Sequence, residues 1–264
     1  MKSSSTPSRL QELGNGSAAD HPGDAVDRSI GHVVGLWRYP VKSMAPETLD
    51  AVDVSWHGFA GDRRWAFVRD GVVSSGFPWL TLRQRAELGH FRPLLTEPGR
   101  PDKSPTRVVT PGGREFDITD PDLATEVSAG TGQLARLIRQ DRGTFDAFPL
   151  SLITRQTLIA LGEKVGLPLD VRRFRPNLLV DCPDEPPFAE DRWVGKTLRI
   201  GDFSMRVDKR DGRCVVITID PESSERQPEI LRTVAQDRDG CLGVYGSVVE
   251  PGVVHLGDAV GLDT

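Results

Sequence analysis

What most constrains the fold of this chain is a rhythm of short apolar stretches, rich in β-branched residues, that Gly, Pro or Asp keeps interrupting. His32–Trp37, Leu49–Val54, Trp65–Val68, Thr106–Thr110, Asn177–Val180, Thr197–Ile200, Phe203–Val207, Val215–Ile219, Leu242–Val249 and Val253–Leu256 are such stretches. Asp70-Gly71, Gly112-Gly113 and Asp211-Gly212 are turn dipeptides. Strands at that density predict a mainly β chain, barrel-rich and mostly antiparallel. Three segments read as helices, which makes the class α+β. They are Pro121–Arg139, broken near Gly130 and Gly132, then Thr154–Val165, stopped by Gly166, and Pro228–Gln236. No GxGxxG or GxxxxGK[ST] follows a strand, which argues against a nucleotide-binding α/β fold.

The 264 residues suffice for one large domain or two small ones. A net charge of -5 argues against a nucleic-acid binder, yet leaves room for a local basic pocket. No apolar run approaches the ~20 residues that span a bilayer, so no membrane contact is expected. Residues 1–29 carry Ser, Gly, Ala, Asp and Pro without the apolar core of a secretory signal. They are expected to form a disordered tail, and the protein to be cytoplasmic. The 3 cysteines, Cys182, Cys214 and Cys241, make neither a disulfide framework nor a four-thiolate cluster.

Four segments carry chemistry-bearing side chains. In Asp211-Gly212-Arg213-Cys214-Val215-Val216-Ile217-Thr218-Ile219 a turn leads into a predicted strand with a cysteine at its start. Strand alternation would put Cys214, Val216 and Thr218 on one face, and Arg213 would favour the thiolate. Taken alone, a lone cysteine is more often a small buried hydrophobe. In Arg173-Phe174-Arg175-Pro176-Asn177 the proline predicts extended backbone at Arg175, which would present a guanidinium and an amide together. Thr154 and Thr157 open the second helix, where hydroxyls cap the helix or help hold an anion. Tyr39-Pro40-Val41-Lys42-Ser43 and Gly61-Asp62-Arg63-Arg64-Trp65 could each present a cation on a barrel rim. Separately, each segment fits an ordinary structural role.

Together, and in this order, they resemble the MOSC family, named for the C-terminal domain of molybdenum-cofactor sulfurases. The resemblance extends to two-part proteins like the mitochondrial amidoxime-reducing component and its bacterial counterparts. It runs from about Gly31 to Val260 and includes FRPNLLVD, FAEDRWVGKTLRIGD, RCVVITIDP and LGVYGSVVEPGVVHLGD. It implies an N-terminal MOSC-type β-barrel domain over 30–130 and a MOSC β-barrel domain over 131–264. It implies the molybdenum cofactor, a molybdopterin, with Cys214 as the thiolate ligand of molybdenum and the catalytic residue. Lys42 and Ser43, Arg63 or Arg64, Thr154 and Thr157, Arg175, Asn177 and Arg213 match cofactor-binding positions. No ferredoxin-like domain is expected to follow, no membrane anchor is expected, and these 264 residues are too few to include a pyridoxal-phosphate domain. The implied activity is therefore a molybdenum-dependent oxidoreductase that reduces N-hydroxylated or other N- or S-oxide small molecules. Its electrons would come from a separate ferredoxin-, flavin- or cytochrome-type protein. The alternatives are a non-enzymatic cofactor carrier and a sulfur-transfer protein with a persulfide on Cys214.

Overall fold

The computed structural model describes residues 28–72 and 76–263. The expected tail lies, up to residue 27, outside the described residues. Seven strands close a barrel in the order Arg28–Arg38, Leu178–Asp181, Leu150–Thr154, Cys241–Glu250, Phe203–Gly212, Thr197–Ile200 and Ala259–Leu262, which returns to Arg28–Arg38. Closure removes the unpaired edges that an open sheet would expose. Neighbours are antiparallel except Leu150–Thr154 and Leu178–Asp181. Parallel strands need a crossover, and here the helix α2, Arg155–Val165, lies on that connection.

The interior is filled by inward-facing residues of these strands, among them Val33, Leu36, Leu150, Leu152, Leu178, Val180, Phe203, Met205, Val244 and Val260. Leu150–Thr154 is buried along its whole length. Leu150 and Leu152 face the barrel core, while Ile153 faces a second layer with Leu158 and Leu161 of α2 and Ile230 and Val234 of the helix Pro228–Arg238. A strand covered on both sides has no polar face, so it shows no alternation in sequence.

The first strand, Arg28–Arg38, thus closes a barrel made otherwise from the second half of the chain. Most of the remaining first half forms small sheets: Trp65–Arg69 with Ala135–Arg139, and Arg92–Leu95 with Thr106–Val109 and Glu115–Asp117. These and the helix Pro121–Ser128 surround a separate core containing Phe67, Leu88, Phe91, Val108, Leu123 and Val127.

Two expectations are corrected. The helix expected over Pro121–Arg139 ends at Ser128. Gly130 and Gly132 turn the chain at φ +77 and +72, and Ala135–Arg139 is a strand paired with Trp65–Arg69. The strand expected over Val215–Ile219 is a single 3-10 turn, Val215–Thr218. Its β-branched residues serve two cores, Ile217 packing toward the helices and Ile219 toward the first-half core. Cys214, Val216 and Thr218 therefore do not share a strand face.

Candidate functional site

The end of the strand Phe203–Gly212 delivers Cys214 to a cavity of about 330 Å³. Cys214 keeps extended backbone (φ -132, ψ -176), and its carbonyl oxygen accepts the Ile217 N–H at 3.2 Å to start the 3-10 turn. Its thiol is free and half-buried. Cys182 and Cys241 are also free thiols. Burial pushes the Cys182 thiol up to about 12, with Glu190 adding to the shift, so Cys182 stays protonated in the barrel core.

Of the residues singled out in sequence, Lys42, Ser43, Arg63, Arg175, Asn177, Arg213 and Cys214 line this one cavity. Their chain separation is wide, and the barrel is what unites them. Lys42 and Ser43 follow the first strand. The Lys42 N–H bonds to Trp65 O at 2.8 Å, which ties this loop to the strand Trp65–Arg69. Lys42 Nζ donates to Thr144 O at 3.0 Å and pairs with the Asp146 carboxylate. Burial lowers the Lys42 pKa, and Asp146 opposes that shift.

Ser43, Arg63 and Arg175 all hold positive φ, at +68, +50 and +52. Such backbone costs about 1–3 kcal/mol at a non-glycine residue and survives where the surroundings over-determine it. The extended backbone expected at Arg175 is thus replaced by a left-handed cap of the short turn Val171–Phe174. That turn aims the guanidinium at the Tyr39 ring, 4.2 Å from its centroid. Arg63 lies over the same ring at 4.6 Å. Asp62, fully buried, accepts the Tyr39 N–H at 2.7 Å and pairs with Arg63. Burial works against the Arg63 cation, but Asp62, with Tyr39 and Tyr245, outweighs it and raises its pKa. Arg175 has no carboxylate partner among the described residues, and burial pulls it down to about 10. Arg83 and Lys209, on the same cavity wall, likewise lack a carboxylate partner among the described residues. A chain of net charge -5 thus gathers cations around one opening.

Asn177 braces this wall and does not present its amide to the cavity. Its side chain donates to Trp37 O and Asp62 Oδ2, both at 3.2 Å, and accepts the Ser151 N–H at 3.2 Å. Arg213 also braces: it donates to Leu242 O at 2.7 Å and Phe174 O at 2.8 Å, and pairs with Asp211 at 2.9 Å. The open choice between Arg63 and Arg64 resolves to Arg63. Arg64 turns away to Asp102 at 2.8 Å and Asp62 O at 3.1 Å.

Thr154 and Thr157 are corrected more sharply, because neither lines the cavity. Thr154 caps α2, and both hydroxyls donate to Oε2 of the fully buried Glu190, at 3.0 and 2.9 Å. The carboxyl group these hydroxyls hold is a side chain of the protein itself. The cavity's own hydroxyl from this strand is Ser151, which donates to Asp211 Oδ2 at 3.2 Å. Asp211 is buried with Oδ1 unpartnered, and burial raises its carboxyl pKa. Asp146, Ser151, Asp211 and Tyr245 are cavity residues that sequence reasoning did not single out as ligands. Asp211 stood in a quoted turn dipeptide next to the cysteine segment, and that adjacency was the available signal.

Comparison with known proteins now bears on the site. Residues 30–140 match the MOSC N-terminal beta barrel domain, and residues 139–261 match the MOSC domain. The chain belongs to the MOSC family. Among curated relatives of this MOSC protein, the mitochondrial amidoxime-reducing component 1 of Danio rerio is 34% identical over 44% of the chain and 37% of its own length. The molybdenum cofactor sulfurase of Danio rerio is 39% identical over 83% of the chain and 32% of its own length. The molybdenum cofactor sulfurase of Drosophila mojavensis is 27% identical over 78% of the chain and 30% of its own length. The chain thus spans about a third of the length of these relatives. Among solved structures, the YUAD protein from Bacillus subtilis is similar at a TM-score of 0.44 and 13% identity, over 88% of this chain and 94% of that one. Two of these three relatives are named for the molybdenum cofactor. No helix among the described residues is long and apolar enough to cross a membrane.

The residues present suit such a cofactor. No cluster of three or more His, Cys, Asp or Glu among the described residues could hold a metal ion. A metal that brings its own dithiolene sulfur needs only the one thiolate that Cys214 offers. The cations around the opening match a phosphate.

Proposed function

We propose that this protein holds the molybdenum cofactor in the Cys214 cavity and reduces N-hydroxylated or related N- or S-oxide compounds. The observation that carries the reading is the convergence on one cavity of a free thiol with Arg83, Arg175 and Lys209, cations that have no carboxylate partner among the described residues. The cofactor, when bound, supplies the two-electron chemistry at oxygen. The protein's residues bind, orient and screen. Cys214 is the metal ligand. Lys42, Ser43, Arg63 and Arg175 hold the phosphate, with Arg175 keeping most of its donors for it. Asn177 and Arg213 fix the loops on which Ser43, Arg63 and Cys214 sit. Reduction of an N–OH group takes up two electrons and two protons and releases water. Asp211, whose carboxyl is held above the usual range, lies in the cavity wall where a proton is consumed. The electrons come from a separate donor protein.

Metal and pterin analysis of the purified protein, with Cys214→Ser beside it, tests this reading. The expected result is stoichiometric molybdenum in the wild type and turnover of an amidoxime with an artificial reductant, lost in the variant. A protein that never takes up pterin overturns the reading.

A second reading has its own support, since the sulfurases match over most of the chain. In it Cys214 carries a persulfide. Intact-mass measurement, showing one added sulfur at Cys214 without metal, would favour it.

A further inference from the structure

A second cavity, of about 360 Å³, abuts the first and shares Leu82, Arg173, Arg175 and Val216 with it. Val216 stands two residues after Cys214 on the same 3-10 turn, so the shared wall adjoins the thiol's own turn. The two cavities differ in chemistry. Around the first, Arg83, Arg175 and Lys209 lack carboxylate partners among the described residues. In the second, most charged groups are spent on each other or on immediate neighbours. Glu47 pairs with Arg38 at 2.7 Å, Asp220 pairs with Arg173, and Arg172 pairs with Asp170 and Glu222. His90 and Ser224 meet at 3.3 Å. Beside Arg92 and Arg175, which have no carboxylate partner among the described residues, the cavity offers apolar surface from Leu82, Ala86, Pro93, Leu94, Val216 and Ile219. Leu94 leaves 49% of its surface exposed, on the strand Arg92–Leu95.

We infer that this second cavity is the subsite for the apolar body of the substrate, a flat ring or comparable hydrocarbon group whose N–O head reaches the Cys214 cavity. This rests on the reductase reading and adds to it where the non-reacting part of the substrate sits. The volume falls within the ~300–1,000 Å³ of small-molecule sites and admits a single ring. The cavity's carboxylates, Glu47 and Asp220, are both paired, so a cationic chain finds little to bind. An uncharged ring gains by leaving water and by lying against the shared Arg175 guanidinium. The four shared lining residues set the two cavities side by side, the arrangement that one molecule occupying both needs.

Calorimetric titration of the full-length protein as purified tests the subsite with three neutral probes. Benzamidoxime and acetamidoxime share a head and differ in the ring. Benzamide carries the ring without the N–OH group. Two variants act on the second cavity alone: Leu94→Asp, at an exposed position, and Ala86→Phe, which fills the space. Benzamidoxime is expected to bind the wild type about tenfold or more tighter than acetamidoxime, the size of effect a buried ring gives. Both variants should abolish that advantage and leave acetamidoxime binding unchanged. Equal affinities in the wild type, or a ring advantage that survives both variants, would overturn the subsite. Benzamide that binds the wild type and is lost in the variants supports the subsite even where no amidoxime is reduced, and then the reductase reading alone fails. Reduction of both amidoximes without preference for the ring leaves that reading standing and removes the subsite.

Discussion

The cations around Cys214 and the hydroxyls around Glu190 are both buried polar clusters, yet they differ in where their partners come from. At Glu190 the donors close on a side chain of the protein, although Oε1 of Glu190 is itself buried without a hydrogen-bond partner. Thr154 and Thr157 donate to Oε2, the Thr157 hydroxyl accepts the Phe188 N–H at 2.8 Å, and Thr154 caps α2. Around Cys214 the pairing is incomplete. Arg175 has no carboxylate partner among the described residues, and the backbone holds positive φ at Ser43, Arg63 and Arg175. Buried polar groups are costly to leave unsatisfied. A cluster whose hydroxyls close on a side chain of the protein serves stability, and one whose cations stay without a carboxylate serves a ligand. Charge-bearing residue types alone do not separate the two cases.

Four measurements sharpen this contrast, beginning with the largest expected effect. Cys214→Ser should abolish amidoxime reduction, a loss exceeding the ~10–100-fold typical of an outer-shell partner, because oxygen is a harder ligand than thiolate. Its thermal midpoint should match the wild type's, since the thiol is a half-buried residue in no core cluster. Wild-type turnover in this variant, at unchanged molybdenum content, would remove Cys214 from the metal.

Arg175→Ala should weaken retention of the cofactor by about 10–100-fold, the scale of a lost charge-assisted hydrogen bond. Pterin retained after gel filtration reads this directly. If retention matches the wild type, the open cations do not hold the phosphate.

Thr157→Val belongs to the closed cluster and should lower unfolding stability by about 1–3 kcal/mol, because Glu190 and the Phe188 N–H each lose a partner. Pterin content of the folded protein should not change. A drop in pterin content with unchanged stability would invert the assignment of the two clusters.

The smallest effect is expected for Glu190→Gln. Burial raises the Glu190 pKa in the folded state, with the threonine donors opposing. A raised carboxyl pKa gives stability that is complete below the unfolded value of ~4.3 and fades as pH rises through the folded value. Glutamine keeps an acceptor for both threonines and carries no proton to lose. Urea midpoints should therefore show the variant gaining on the wild type as pH increases from acid to neutral. A constant offset across that range would mean that Glu190 does not change protonation on folding.

Much of the barrel was legible because its strands obey local rules. Thr197–Ile200 was read with its observed limits, and the strands around His32–Trp37 and Phe203–Val207 are there but longer. Leu150–Thr154 and Ala259–Leu262 were not read, and for the first the reason is burial on both faces. Val215–Ile219 misled because β-branched residues report a preference for pleated surfaces, and here no neighbouring strand is available to pair.

The motifs, by themselves, determined the family, the thiol at Cys214, and the cationic character of the segments around Lys42, Arg63 and Arg175. Those follow from residue types in fixed order, which travel with the chain however it folds. Only the tertiary structure decided which groups face the cavity. Arg63 turns in while Arg64, its neighbour, turns out to Asp102, because Arg63 takes a positive φ against the Tyr39 carbonyl. Thr154 and Thr157 turn away because Glu190, some thirty residues on, reaches back to them through the barrel wall. Orientation is set by contacts between residues far apart in sequence, so no local pattern encodes it.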